Sequence, residues 1–183
     1  MPNGIDGLNL KSIKDCQPGE LVRAPLMGVD WGIITRIPNT AGNDVVVLDK
    51  VNGAVSFRDL HDAQEGCCLS YGKDYQLLPE YGGPCQVVNV GGPSFGAGNL
   101  IYARVVGQLD ATTERYLKAD GSYILSLTDF MVRASAIGGI RAAFNNWSIW
   151  MKLPSDPDQL TKIFQFGESP LPLPAALDSG GWR

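Results

Sequence analysis

The stretch DVVVLDKVNGAVSF, residues 44–57, sets two apolar, β-branched segments on either side of Asn52-Gly53. An Asn-Gly pair accepts the positive φ angles of a type I′ turn, whose twist matches that of the strands it joins. The stretch therefore predicts a β-hairpin, with the turn setting the register as well as the reversal. It also sets the expectation for the rest of the chain, because similar material recurs on both sides of it.

Upstream, residues 20–24 and 31–37 (WGIITRI) are short, β-branched and bounded by Pro25, Gly28 and Pro38, the punctuation of strands. Downstream, strands are expected in CQVVNV (85–90), in LIYARVV (100–106), and in two arms, ERYLK and SYILSL, around a second turn pair at Asp120-Gly121. Trp147, Ile149 and Met151 alternate with Ser148, Trp150 and Lys152, and Trp150 breaks the polar side of that pattern as it would if both faces were covered. LTKIFQF (160–166) reads as a last strand. Thr128 or Asp129 is placed to cap a helix over FMVRASAI, although Ile137-Gly138-Gly139-Ile140 also fits a hairpin turn; the helix is the expectation.

The fold class expected is mainly β, with two small tandem units, barrel-like or sandwich, and one short helix after residue 128. The expected division is an N-terminal arm at 1–16, a first β unit at 17–69, a connecting loop at 70–84 with a short strand at 75–78, a second β unit at 85–166 and a Pro-rich arm at 167–183. An internal duplication is suggested at a constant offset of 68 residues, which pairs Val22 with Val90, Pro25 with Pro93, Gly28 with Gly96, Ile33 with Ile101, Arg36 with Arg104, Lys50 with Lys118 and Gly53 with Gly121. The agreement fails in the middle, where residues 45–47 face residues 113–115.

Composition fits this reading. The 183 residues include 22 Gly and 12 Pro, with 19% charged, as in a turn-rich β protein long enough to bury its own core. The net charge of −4 leaves no basic field for phosphates, so neither nucleic acid nor an anionic membrane is expected as the main partner. MPNGIDGLNLKS has no basic start followed by an apolar stretch, and cytoplasmic synthesis is expected. Cys16, Cys67, Cys68 and Cys85 make no C-x-x-C knuckle and are read as free thiols in a reducing compartment.

Three sets of residues invite chemistry. His61 lies near Asp59, Asp62, Cys67 and Cys68, as a Cys/His hydrolase or a metal site would need, but the spacing matches no zinc pattern. The loop containing Gly92, Ser94, Phe95, Gly96 and Gly98 lacks the Lys-Ser/Thr of a phosphate loop and the spacing of a dinucleotide fingerprint. It stands as a candidate ligand loop in a β-rich module for a sugar, peptide or nucleotide. Tyr71, Tyr75, Tyr81, Trp147, Trp150 and Trp182 suit contact surfaces as well as cores.

The tail GESPLPLPAALDSGGWR is extended by Pro170, Pro172 and Pro174, and carries Leu171, Leu173, Leu177 and Trp182 as interface residues. Apolar arms, low charge and the lack of a catalytic motif lead to the expectation of a non-enzymatic assembly protein. It would be a subunit of a homo-oligomeric shell, tube or ring, such as a capsid or tail component of a virion, binding itself and other subunits without a cofactor or metal.

Overall fold

The computed structural model describes residues 9–49, 54–80, 85–86, 96–104, 113–133, 139–153 and 156–167. The first strands among them are β1 (Asn9–Ser12), β2 (Leu21–Ala24), β3 (Val29–Thr35), β4 (Asp44–Asp49), β5 (Ala54–Arg58), β6 (Cys67–Ser70) and β7 (Tyr75–Pro79). They are followed by β8 (Cys85–Gln86), β9 (Leu100–Arg104), β10 (Thr113–Lys118), β11 (Ile124–Ser126), β12 (Val132–Arg133), β13 (Ile140–Phe144), β14 (Trp147–Leu153) and β15 (Asp156–Phe166). These strands form three antiparallel sheets, with orders β1-β6-β2-β3-β4-β5, β12-β11-β10-β9-β13-β8 and β15-β14-β7. The mainly β class is as expected, and no helix of seven or more residues occurs among the described residues. No described helix is long and apolar enough to cross a membrane.

Alternation along the first sheet feeds two cores. Leu21, Ile33, Val46, Leu48 and Val55 enter a large cluster that also contains Leu77, Leu100, Leu117, Leu125, Trp147, Ile149 and Phe166, so all three sheets contribute to it. Their neighbours Val22, Ile34, Val45 and Val47 point the other way, into a smaller cluster with Ile13, Cys16, Leu60 and Cys68. Successive strand residues face opposite sides, which is why DVVVLD is apolar at every interior position: both its faces are covered.

Hydrogen bonds join the first and second sheets. Asp120 N donates to Val55 O (2.9 Å), and the Asp120 carboxylate accepts from Phe57 N (2.7 Å), covering the outer edge of β5. Arg36 and Met131 form a parallel bridge, Val132 N donates to Arg36 O (2.8 Å), and Thr35 Oγ1 donates to Phe130 O (2.7 Å).

Several expectations are corrected. Asp49 pairs with Ala54, whereas a two-residue turn at Asn52-Gly53 would pair Val51 with Ala54; Asn52 and Gly53 themselves lie outside the described residues. The helix expected after residue 128 does not start: Thr128 and Asp129 make a turn and β12 follows. Phe130 N donates to Ser126 O (3.0 Å), closing one turn, and Ser126 Oγ accepts from Thr128 N while the Asp129 carboxylate accepts from Met131 N, so the turn is fixed locally and passes into β12 instead of continuing as a helix. Phe130 sits at φ 55°, and a Cβ on Gly19 would lie 2.5 Å from its ring; glycine at 19 is what lets the ring pack there. Residues 134–138 lie outside the described set.

The order β3-β4-β5 recurs as β9-β10-β11, but the register does not. Gly32 faces Val47, while Leu100, 68 residues on, faces Leu117 rather than Arg115.

Candidate functional site

The third sheet is built on β14. Trp147 has no exposed surface; it stacks on Phe166 (5.1 Å) and donates from Nε1 to Gly98 O (2.7 Å). Gly98 has φ +92°, and a Cβ there would fall 2.0 Å from the Phe166 ring. Its glycine is thus accounted for by packing of the last strand. Of the other loop candidates, Gly96 is exposed and its carbonyl accepts from Asn99 N (3.2 Å), while Gly92, Ser94 and Phe95 lie outside the described residues.

The opposite face of β14 lines a cleft of about 660 Å³. Leu78, Pro79 and Glu80 form one side, Ser148 and Trp150 the floor, and Tyr102, Phe144, Ala142 and Thr113 of the second sheet the other wall. Tyr102 and Phe144 meet edge to face at 5.5 Å. The lining is mostly apolar and aromatic, with a small polar set at one end, the usual make-up of a binding site.

That polar set is assembled by a bulge. Ile149 pairs with Phe164, but Trp150 pairs with Lys162, so β15 skips one residue. Without the skip Ile163 would lie opposite Trp150. With it, the Lys162 ammonium sits 5.2 Å from the Trp150 ring and 2.6 Å from Glu80 Oε1. Ser148 Oγ donates to Glu80, and Trp150 Nε1 donates to Ser148 Oγ (2.7 Å). Partial burial raises the Glu80 pKa, but the hydrogen bonds from Lys162 and Ser148 and the lysine charge outweigh it and hold the carboxyl below its ordinary value. The arrangement offers an ionised carboxylate and an indole face, suited to holding a ligand rather than to proton transfer near neutral pH.

The other sequence candidates fall elsewhere. His61 begins an exposed 3-10 turn (His61–Ala63), and its backbone N donates to the Asp59 carboxylate (2.7 Å). Cys67 is exposed, while Cys68 is buried beside Cys16. No group of three or more His, Cys, Asp or Glu able to hold a metal occurs among the described residues. Trp31 is half-buried between Tyr71 (5.0 Å) and the Arg23 guanidinium (5.2 Å). Leu171, Leu173, Leu177 and Trp182 lie outside the described residues.

Sequence reasoning singled out Trp150 but missed Glu80, Tyr102, Phe144 and Lys162. Trp150 as the exception in its alternation was the one usable signal. Comparison with protein-family models, curated proteins and solved structures finds no match, so the chemistry of the cleft is argued from its own residues.

Proposed function

We propose that this chain is a non-enzymatic assembly subunit of a homo-oligomeric shell, tube or ring, of the kind found in a virion, and that its Pro-rich arm binds a neighbouring copy. The observation that carries this reading is the open cleft walled by Trp150, Tyr102 and Phe144. Proline-rich segments in the polyproline conformation dock on aromatic grooves, because they are already extended and lose little entropy on binding. This chain carries such a segment itself, SPLPLP at residues 169–174. β15 ends at Phe166, opposite Trp147, which in turn faces Pro79, so the arm begins at the same end of the sheet as the rim of the cleft.

Light scattering over a concentration series, comparing the full chain with one ending at Gly167, tests this. Expected is a discrete oligomer that falls to a smaller species on truncation, with all described strands retained by circular dichroism. Trp150→Ala in the full chain should do the same. Equal mass for all three proteins overturns the reading.

A second reading rests on the same cleft. Glu80, Ser148 and the Trp150 face are groups that hold a sugar ring, by hydrogen bonds to hydroxyls and by stacking. A saturable shift of melting temperature with a panel of mono- and disaccharides, lost in Trp150→Ala, would favour this ligand-binding module over the assembly subunit.

A further inference from the structure

Under the first sheet, away from the cleft, lie two thiols that the assembly reading does not use. Cys16 Sγ and Cys68 Sγ are 3.4 Å apart, with side chains enclosed by Ile13, Val22, Val45 and Leu60. Cys16 has no exposed surface and Cys68 is 2% exposed. A disulfide needs the sulfurs at about 2.05 Å, so an approach of about 1.4 Å by side-chain rotation brings them to bonding distance. Cys67, by contrast, points to solvent.

We infer that Cys16 and Cys68 form an oxidisable dithiol that a small peroxide converts to a disulfide. Cys68 is the attacking sulfur. The contact with Cys16 Sγ and the Lys11 ammonium favour its thiolate against the cost of burial, whereas that contact and burial hold the Cys16 thiol protonated, its one S–H within reach of Ser12 O (3.5 Å) as well as of Cys68 Sγ. The groups facing the pair are Lys11, across from Cys68 in the β1–β6 ladder, and Glu20, whose carboxylate is itself paired with Lys11 at 2.6 Å.

In the first step the Cys68 thiolate attacks one peroxide oxygen. The O–O bond breaks, hydroxide leaves, and Cys68 becomes a sulfenic acid. In the second the Cys16 sulfur attacks the Cys68 sulfur, the S–O bond breaks, and the oxygen leaves as water with the Cys16 proton. In sum two thiols and one hydrogen peroxide give one disulfide and two waters. The oxidant reaches the pair through β1, a four-residue strand that among the described strands pairs with β6 alone, and such a strand opens at low cost compared with a central one. The new bond ties positions 52 residues apart and closes a loop that contains β2 to β5.

The test is made on the folded full chain, treated with hydrogen peroxide, alkylated and analysed by intact mass and peptide mapping. Expected is a loss of about 2 Da from two hydrogens before alkylation, two fewer alkyl groups than the reduced control after it, a Cys16–Cys68 crosslink, and reversal by dithiothreitol. The oxidised protein should melt roughly 5 °C or more above the reduced one. Cys67→Ser should keep the crosslink. Cys16→Ser should abolish it and leave Cys68 as a sulfenic acid that dimedone captures; should that variant fail to fold, the crosslink map of the unsubstituted chain decides. A crosslink through Cys67 or Cys85, or unmodified Cys16 and Cys68 once Cys67 is fully oxidised, overturns the inference.

Discussion

The strands β4 and β10 stand at the centre of two meanders of the same order, yet they are buried differently. Val46 and Leu48 of β4 enter the core shared by all three sheets, while Val45 and Val47 enter the smaller cluster beneath the first sheet. In β10 Leu117 alone is buried; Thr113 and Arg115 are exposed, and Glu114, Tyr116 and Lys118 are half-buried. β4 is therefore covered on both sides along its length, whereas β10 is closed over only at Leu117. This explains where the repeat alignment breaks. The mismatch between residues 45–47 and 113–115 falls on the strand pair whose outer faces meet different surroundings, and the valines there follow from the second core.

The largest test of this contrast places a carboxylate in each strand. Val45→Asp buries a charge with no partner in the smaller cluster, and should cost about 4 kcal/mol or more, enough to leave the chain near the edge of folding. Arg115→Asp changes an exposed position and should shift stability by less than about 1 kcal/mol. Urea unfolding of the two variants measures both. Equal losses would mean that β10 is covered as fully as β4.

The same contrast shows what the residues alone made legible. Strand material was readable wherever apolar residues ran together or alternated, because burial on two faces or one writes those patterns directly. Register was less so: Asn52-Gly53 signals a tight turn, but Asp49 pairs with Ala54, since packing of β4 into two cores outweighs a local turn preference. FMVRASAI read as a helix because its apolar spacing fits one, and the side-chain bonds of Ser126 and Asp129 that form the turn carry no periodicity. The cleft was hardest to see. Glu80, Phe144 and Tyr102 converge through packing of two sheets, and Lys162 reaches Glu80 and Trp150 through a bulge that linear spacing conceals.

The two meanders also finish their outer strands differently, and this gives a smaller test. β11 is followed in its sheet by β12, a regular neighbour, whereas the free side of β5 is covered by the Asp120 turn of the other half. Asp120→Ala removes the acceptor for Phe57 N but leaves the backbone bond from residue 120 to Val55 O. Expected is a loss of about 1 kcal/mol, with faster hydrogen exchange confined to the Phe57 amide and its neighbours. Unchanged exchange at Phe57 would show that the edge is closed without that carboxylate.

The smallest test compares two acids, Glu20, buried beside the first sheet, and Glu80, half-buried at the cleft. Burial raises the Glu20 pKa, but hydrogen bonds from Lys11, Ser70 and the Gln17 amide outweigh it; Glu80 is held low in the same way by Lys162 and Ser148. A carboxyl whose folded pKa is depressed adds stability that is fully present above its unfolded value. That stability is lost as pH falls through the folded value, so both contributions should fade on acidification below the ordinary Glu pKa of 4.5. Glu80 pairs with a lysine that is 34% exposed, and water screens the pair, so Glu80→Gln should remove roughly 1 kcal/mol or less of the acid-sensitive part. Glu20 makes three bonds in a more enclosed setting, with Lys11 25% exposed, and Glu20→Gln should flatten the pH dependence more. Stability measured from pH 7 to pH 3 for each variant, subtracted from that of the unsubstituted chain, gives the two curves. A larger acid-sensitive part at Glu80 would mean that the cleft encloses its ion pair more tightly than the first sheet encloses its own.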